Sequence, residues 1–331
     1  MPRTFLIDTD TASDDAVALI IALREPGIRI AAITIVAGNV GVAQAARNAL
    51  YVAEICGSDV PVFAGADRPL LRDHMHAEWF HGKDGLGDRG YAPPQRAPEP
   101  IHAVDAIINC VNNNPGLTLV TLGPLTNVAL ALAKDSAIAR KVGRCVIMGG
   151  NPCCEGNVTP AAEYNIWADP EAARMVLRSH LPTELAGWHL CRGEAALDAD
   201  EIESVLGFGT PLARFAIECN SKAMDAYLRQ TGETGISLPD PVAMAIAIDP
   251  SVCTLSGEHF IDVEVASDLT RGMTVVDRLG VAADDRNRDV WKTVLAGGRK
   301  TKVCWKIDNA RWKAVLYRAL VGQVGNPMSL V

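Results

Sequence analysis

The 331-residue sequence predicts an α/β fold: a mostly parallel central sheet with helices on both faces, a Rossmann-like core, and added helices in the second half. Three observations predict it. Apolar runs such as Ile28–Val36 are continuous rather than alternating, as expected of strands buried on both faces. Helical patterns separate these runs, and a parallel pair needs such a crossover. No linker-like composition divides the halves, so residues 1–331 read as a single domain.

Each element has its own signal along the chain. Thr4–Ile7 is a short apolar run, followed by DTDTAS and the helical pattern DDAVALIIAL. Ile28–Val36 is the second strand, followed by GNV and a helix from about Val42 to Cys56. Val60–Phe63 is a third short run, and His102–Asn112 a helix. Leu117–Thr121 leads into GPLTN and a helix over Val128–Lys134. Arg144–Met148 runs into GGN; Asp169–Arg178 is a helix and Thr183–Ala186 a further strand. The second half reads as helices over Asp198–Leu206, Pro211–Gln230 and Pro241–Ile248. Strands at Phe260–Val265, Gly272–Val276 and Lys302–Ile307 and a last helix over Ala310–Leu320 complete it. The segment Arg68–Pro100 is too long for a plain connection and reads as a functional loop or lid.

Composition narrows the function classes. With 49% hydrophobic and 21% charged residues the chain has the balance of a globular protein, not a disordered one. Its net charge of −8 argues against general affinity for nucleic acid or an anionic membrane. The nine cysteines are irregularly spaced without a CxxC pair, which speaks against a zinc site or a disulfide framework. The opening MPRTFLIDTD has too short an apolar stretch for a signal peptide, and no run approaches the ~18 apolar residues of a membrane span. A reduced, cytoplasmic enzyme is the expectation.

Three polar segments carry the chemistry. Asp8, Asp10, Asp14 and Asp15 fall within eight residues at the carboxyl end of the first strand, where ligands of open α/β sheets bind. Ser13 is placed to cap the next helix, whose N-terminus tolerates one or two acids. Four repel one another unless a cation holds them, and an all-oxygen set suits a hard ion, Ca²⁺ or Mg²⁺. The second segment, after the Arg144–Met148 run, gathers Asn151, Asn157, Glu163 and Asn165, groups suited to holding sugar hydroxyls. The third is Asp240, in LPDP before an apolar helix, which on spacing alone reads equally as a helix cap.

Together these segments resemble the inosine–uridine nucleoside hydrolase family. DTDTASDDAVAL resembles its opening signature, and TLGPLTNVALAL, VIMGGN, EGNVTPAAEYNIWADPEAA and DPVAMAIAIDP resemble its later blocks, in order. GNV at Asn39 and HGKDGLG at His81 also fit. The resemblance implies a calcium-dependent enzyme that hydrolyses the N-glycosidic bond of a nucleoside, and a homodimer or homotetramer. It implies Asp10, Asp15, Asp240 and the carbonyl of Leu122 as calcium ligands. Asp10 is also implied as general base on a metal-bound water. Asp14, Asn39 and Asn165 are implied to hold the 2′- and 3′-hydroxyls, Asn157 and Glu163 the 5′-hydroxyl, and Met148 to lie beneath the sugar. Asp8 is assigned to steadying the water or its neighbours.

Two departures stand out. Ala12 replaces a glycine of the signature, where a positive φ would be uncomfortable. Pro239 replaces a histidine that, in one large subgroup, protonates the departing base. Substitutes for that proton donor are His81, Lys83, Tyr227 and Arg229, all in segments able to close over the site; Trp79 and Trp188 are the candidates to stack on a base. Two other readings compete: a Mg²⁺ phosphohydrolase of the haloacid dehalogenase type, with Asp8 as nucleophile and Asp10 as acid, and a nucleoside or ribose binder without turnover.

Overall fold

The computed structural model describes residues 2–297 and 299–321. Ten strands are present among them: β1 (Arg3–Thr9), β2 (Ile28–Ile35), β3 (Val62–Ala64), β4 (Thr118–Thr121), β5 (Arg144–Met148), β6 (Thr183–Ala186), β7 (Cys253–His259), β8 (Ile261–Val263), β9 (Thr274–Val276) and β10 (Thr301–Ile307). Eight form one sheet in the order β3-β2-β1-β4-β5-β6-β10-β7. Every neighbouring pair is parallel except β10 with β7.

Side chains alternate between two apolar layers, as the period of a strand requires. Phe5 and Ile7 enter one layer and Leu6 the other; Val120 and Leu119, Val146 and Ile147, Cys304 and Val303 divide the same way. Helices Ser13–Arg24, Val42–Ile55, Pro239–Ile248 and Asn309–Leu320 cover the first layer. Helices Ala103–Asn113, Thr126–Lys134 and Pro170–Leu177 cover the second. The sheet is therefore the mostly parallel, doubly covered one that the uninterrupted runs predict. The chain winds outward from β1 through β2 to β3, then returns to the other side of β1 with β4. That reversal opens a crevice between the carboxyl ends of β1 and β4, where such folds bind ligands.

The structure corrects several expectations. The stretch predicted as one helix over Pro211–Gln230 is two, Pro211–Glu218 and Ser221–Thr231. Between them buried Asn220 bonds the carbonyls of Ala216 and Ser13. The strands predicted at Phe260–Val265 and Gly272–Val276 are the short β8 and β9, which pair with each other outside the main sheet. Strand β7, helix Arg288–Ala296 and the short helices Glu78–His81 and Tyr164–Ala168 have no counterpart in the sequence reading. Ser13 does not cap its helix. It is the first helical residue, and its hydroxyl meets His81 Nδ1 at 2.8 Å instead. Among the described residues no helix is long and apolar enough to cross a membrane.

Candidate active site

The site is assembled at the carboxyl ends of the strands in the middle of the sheet. Asp10 comes directly after β1, and Leu122 and Gly149 directly after β4 and β5, while Asn39 and Trp188 lie in the turns beyond β2 and β6. Asp14 and Asp15 open helix Ser13–Arg24, so the partial positive charge of its N-terminus meets the acids. Asp240 sits in the first turn of helix Pro239–Ile248, which packs against the first helix. It is not that helix's cap, a position held by Leu238.

Carboxylate oxygens of Asp14, Asp15 and Asp240 lie within 4.8 Å of one another, all buried. The tight group thus includes Asp14 where the sequence reading put Asp10. Asp10 is nonetheless close: burial first, then the charge of Asp15, raises its pKa well above the usual carboxylate range. Burial and the neighbouring acids raise Asp240 in the same way, and burial raises Asp14 and Asp15. Four buried acids in mutual repulsion are costly without a counter-charge. Their hydrogen bonds do not supply it. Each Asp15 oxygen accepts one bond, from the Thr9 hydroxyl at 2.5 Å and the Ala12 N–H at 2.9 Å. Asp10 Oδ2 takes the Asn39 N–H at 2.5 Å, but Asp10 Oδ1 and Asp14 Oδ1 are buried with no partner. This donor set, oxygen only, negative and partly unpaired, fits a hard divalent cation.

Asp10 is held in a narrow slot. A Cβ on Gly123 would stand 2.6 Å from Asp10 Oδ1, and one on Gly38 would collide with Oδ2. Two glycines therefore let the backbone close on both sides of the carboxylate. Ala12, by contrast, needs no glycine: its φ is −98°, so the departure from the family signature is unstrained. Asp8 points into the other layer, where its Oδ1 accepts from Thr34 at 2.6 Å and Asn127 at 2.9 Å. Asn127 also reaches the Ile35 carbonyl and the Ala66 N–H, so this network ties strand ends together.

Above the acids lies a cleft open to solvent, with about 730 Å³ of empty space including its mouth. Asp14, Asn39, Leu122, Met148, Asn157, Glu163, Asn165 and Asp240 line it. Glu163 caps helix Tyr164–Ala168, and both its oxygens accept backbone N–H groups: Oε1 from Asn165 at 2.9 Å, Oε2 from Gly150 at 2.7 Å. Burial still lifts its pKa to about 7. The Asn165 amide donates to the Leu122 carbonyl at 2.8 Å and rests 3.2 Å from Met148 Sδ. Asn157 Oδ1 accepts the Tyr164 N–H at 2.9 Å.

The remaining wall is largely aromatic: Trp79, Phe80, His81, Trp188 and Tyr227, with Pro239 beside Asp240. His81 is buried, and burial pushes its pKa down to about 4, so it is neutral at pH 7 although it lies 3.8 Å from Asp14. Tyr227 gives its hydroxyl to Glu233. Arg229 and Lys83 do not line the cleft. They are on an outer hollow with Glu78, Asp88, Lys222 and Asp225, reached past Trp79, which lines both. Sequence reasoning missed Phe80, Asn220, Gln230 and Ser237, which also line the cleft. Phe80 was within reach, since it adjoins the HGKDGLG block. The others carry no signal of their own.

Comparison with known proteins bears on the fold and the family. The family model described as inosine-uridine preferring nucleoside hydrolase matches residues 5–314. The pyrimidine-specific ribonucleoside hydrolase RihA of Shewanella sp. (strain ANA-3) is 35% identical over 297 residues, 88% of this chain and 91% of that one. RihA of Citrobacter koseri is 36% identical over 293 residues, 88% and 93% of the two chains. Among solved structures, the plant nucleoside hydrolase PpNRh1 superposes with a TM-score of 0.90 at 30% identity, over 98% of this chain and all of that one. The purine-preferring ribonucleoside hydrolase of Gardnerella vaginalis gives 0.85 at 29%, over 96% and 98%.

Proposed function

Because the chain belongs to the inosine-uridine preferring nucleoside hydrolase family, we infer that it is a calcium-dependent enzyme hydrolysing the N-glycosidic bond of a ribonucleoside to free base and ribose. One observation carries the reading beyond family membership. Asp14, with an unpaired buried oxygen, and Asp240 line a cleft whose other walls are amides and aromatic rings, and Asp10, which carries a second unpaired oxygen, lies buried close to Asp14. A phosphohydrolase reading has no use for the amides or for Asp240, and Asp8, its nucleophile, faces away into the second apolar layer.

Asp10, Asp15, Asp240 and the Leu122 carbonyl would hold Ca²⁺, with Asp14 close enough to Asp15 and Asp240 to share it. When bound, the ion supplies a Lewis acid that lowers the pKa of water and neutralises the acids. Asp10 acts as general base. The Asn39 N–H fixes one oxygen, so the unpaired Oδ1 is left to take the proton. Asp14, Asn39 and Asn165 hold the 2′- and 3′-hydroxyls. Asn165 spends its N–H on Leu122, which leaves its oxygen to accept from the sugar. Glu163 and Asn157 hold the 5′-hydroxyl, and Met148 packs beneath the ring. Bond cleavage builds positive charge on the ribosyl group, and the surrounding carboxylates favour it.

Departure of the base gets no help from a protonated histidine. Pro239 has none to give and His81 is neutral. Leaving-group help in this cleft is confined to hydrogen bonding and stacking. The test is ribose release from inosine, uridine, cytidine and p-nitrophenyl riboside, with and without chelator. Calcium-restored release from at least one natural nucleoside is expected. Binding of nucleosides without release from any of the four overturns the reading in favour of a non-catalytic binder.

A further inference from the structure

One charged network in the cleft wall has no part in the chemistry above. Trp188 and Tyr227 line the cleft from different segments: the turn after β6 and helix Ser221–Thr231. Arg192 connects them. Its guanidinium lies over the Trp188 ring, 4.8 Å from the centroid. Its Nη2 donates to Glu233 at 2.8 Å, and its Nη1 pairs with Glu155. Glu233 in turn accepts the Tyr227 hydroxyl. Glu155 belongs to the loop that carries Asn157, and Gln230, on the same helix as Tyr227, donates to the Asn157 carbonyl. Three chain segments are thus fastened through one side chain, which is itself three-quarters covered.

The sugar-holding groups occupy the acidic and amide part of the cleft, so the aromatic part is left for the base, whose flat apolar faces suit it. We propose that Arg192 is a positioning residue that sets the base-side wall, holding Trp188 by stacking and Tyr227 through Glu233, so that it governs affinity for the base and not the ribosyl chemistry. Arginine suits the task because its planar fork pairs with two carboxylates while its face stacks on an indole; lysine does only the first. Tyr227 is accordingly a wall element: its hydroxyl proton is committed to Glu233 and not to the base.

The inference rests on the nucleoside hydrolase reading, and the test separates the two. Initial rates are measured for wild type, Arg192→Ala, Arg192→Lys and Glu233→Gln on uridine, inosine and p-nitrophenyl riboside, whose nitrophenolate leaves unaided. For Arg192→Ala, KM for the better natural nucleoside is expected to rise roughly 5–30-fold, the loss of a stacked cation and a charged hydrogen bond. Its kcat on p-nitrophenyl riboside should stay within about twofold, because Asn157 keeps its own bonds to Tyr164 and Gln230 when the Glu155 pair is lost. Arg192→Lys and Glu233→Gln should fall between wild type and Arg192→Ala. Unchanged KM for both nucleosides in Arg192→Ala, or a parallel fall of kcat on all three substrates in every variant, overturns the positioning role while leaving the hydrolase reading intact. No cleavage of any substrate by wild type overturns both.

Discussion

Asp10 has one oxygen held by the Asn39 N–H and the other unpaired, the arrangement on which the proposed general-base role rests. Asp10→Asn is expected to lower kcat by about 10²–10⁴-fold, read as initial rates on p-nitrophenyl riboside. Its Tm should hold or rise in chelator, because the change removes a buried charge repelled by Asp15 and Asp14. The slot makes a second prediction. Gly123→Ala puts a methyl against Asp10 Oδ1 and must displace it, so activity should drop at least tenfold with little change in circular dichroism. Asp10, Asp14 and Asp15 were legible in the sequence because clustered like charges demand an explanation that single residues do not, whereas Asp240, isolated in LPDP, was assigned to the metal only by the family resemblance. Arg192 and Glu233 were illegible for the converse reason. Each alone looks like an ordinary solvated side chain, and only the fold brings them against Trp188 and Tyr227.

Between elements, one ionic joint away from the cleft joins two arginines, each through two bonds, to a single carboxylate. Asp262 on β8 receives Arg174 and Arg178, from helix Pro170–Leu177 and its end, with Nη2 contacts of 2.6 Å from each. This joint fastens the β8–β9 ribbon to the helix. That ribbon in turn bears on the cleft loops: a Cβ on Gly272 would press on Trp167, and one on Gly150 on Thr274. Asp262→Ala leaves two half-buried guanidiniums without their shared partner and should cost about 2–4 kcal/mol in urea unfolding. Calcium-dependent activity of the fraction that stays folded should survive. The elements that the sequence revealed are those whose apolar pattern is dictated by the core. β7 escaped because it is an edge strand with no buried residue along its length and rich in polar residues. Helix Arg288–Ala296 escaped because only Val294 on it is buried. The break at Asn220 escaped because its cause is a bond to Ser13, some two hundred residues away.

At the scale of the whole molecule, the crevice between β1 and β4 concentrates buried acids in the middle of an otherwise apolar fold, and this couples stability to pH. Glu163 and Asp8 are both lifted by burial to about 7, from 4.5 and 3.8. A carboxyl whose folded pKa is raised contributes stability that is full below its unfolded value. That contribution is lost as pH climbs through the folded value. In chelator the urea midpoint should therefore fall between pH 5 and pH 8, the reverse of the behaviour expected where salt-bridged carboxylates dominate. Calcium, if held as proposed, would act in the opposite direction: bound at the deprotonated acids, it should stabilise more as pH rises, by about 2.7 kcal/mol at a hundredfold excess over Kd. The measurement is Tm at pH 5 and pH 8, each with EDTA and with Ca²⁺, for wild type and Asp240→Ala. A calcium increment that is larger at pH 8 and abolished by Asp240→Ala is the expected result. An increment equal at both pH values, or unaffected by losing Asp240, would place the ion somewhere other than this crevice.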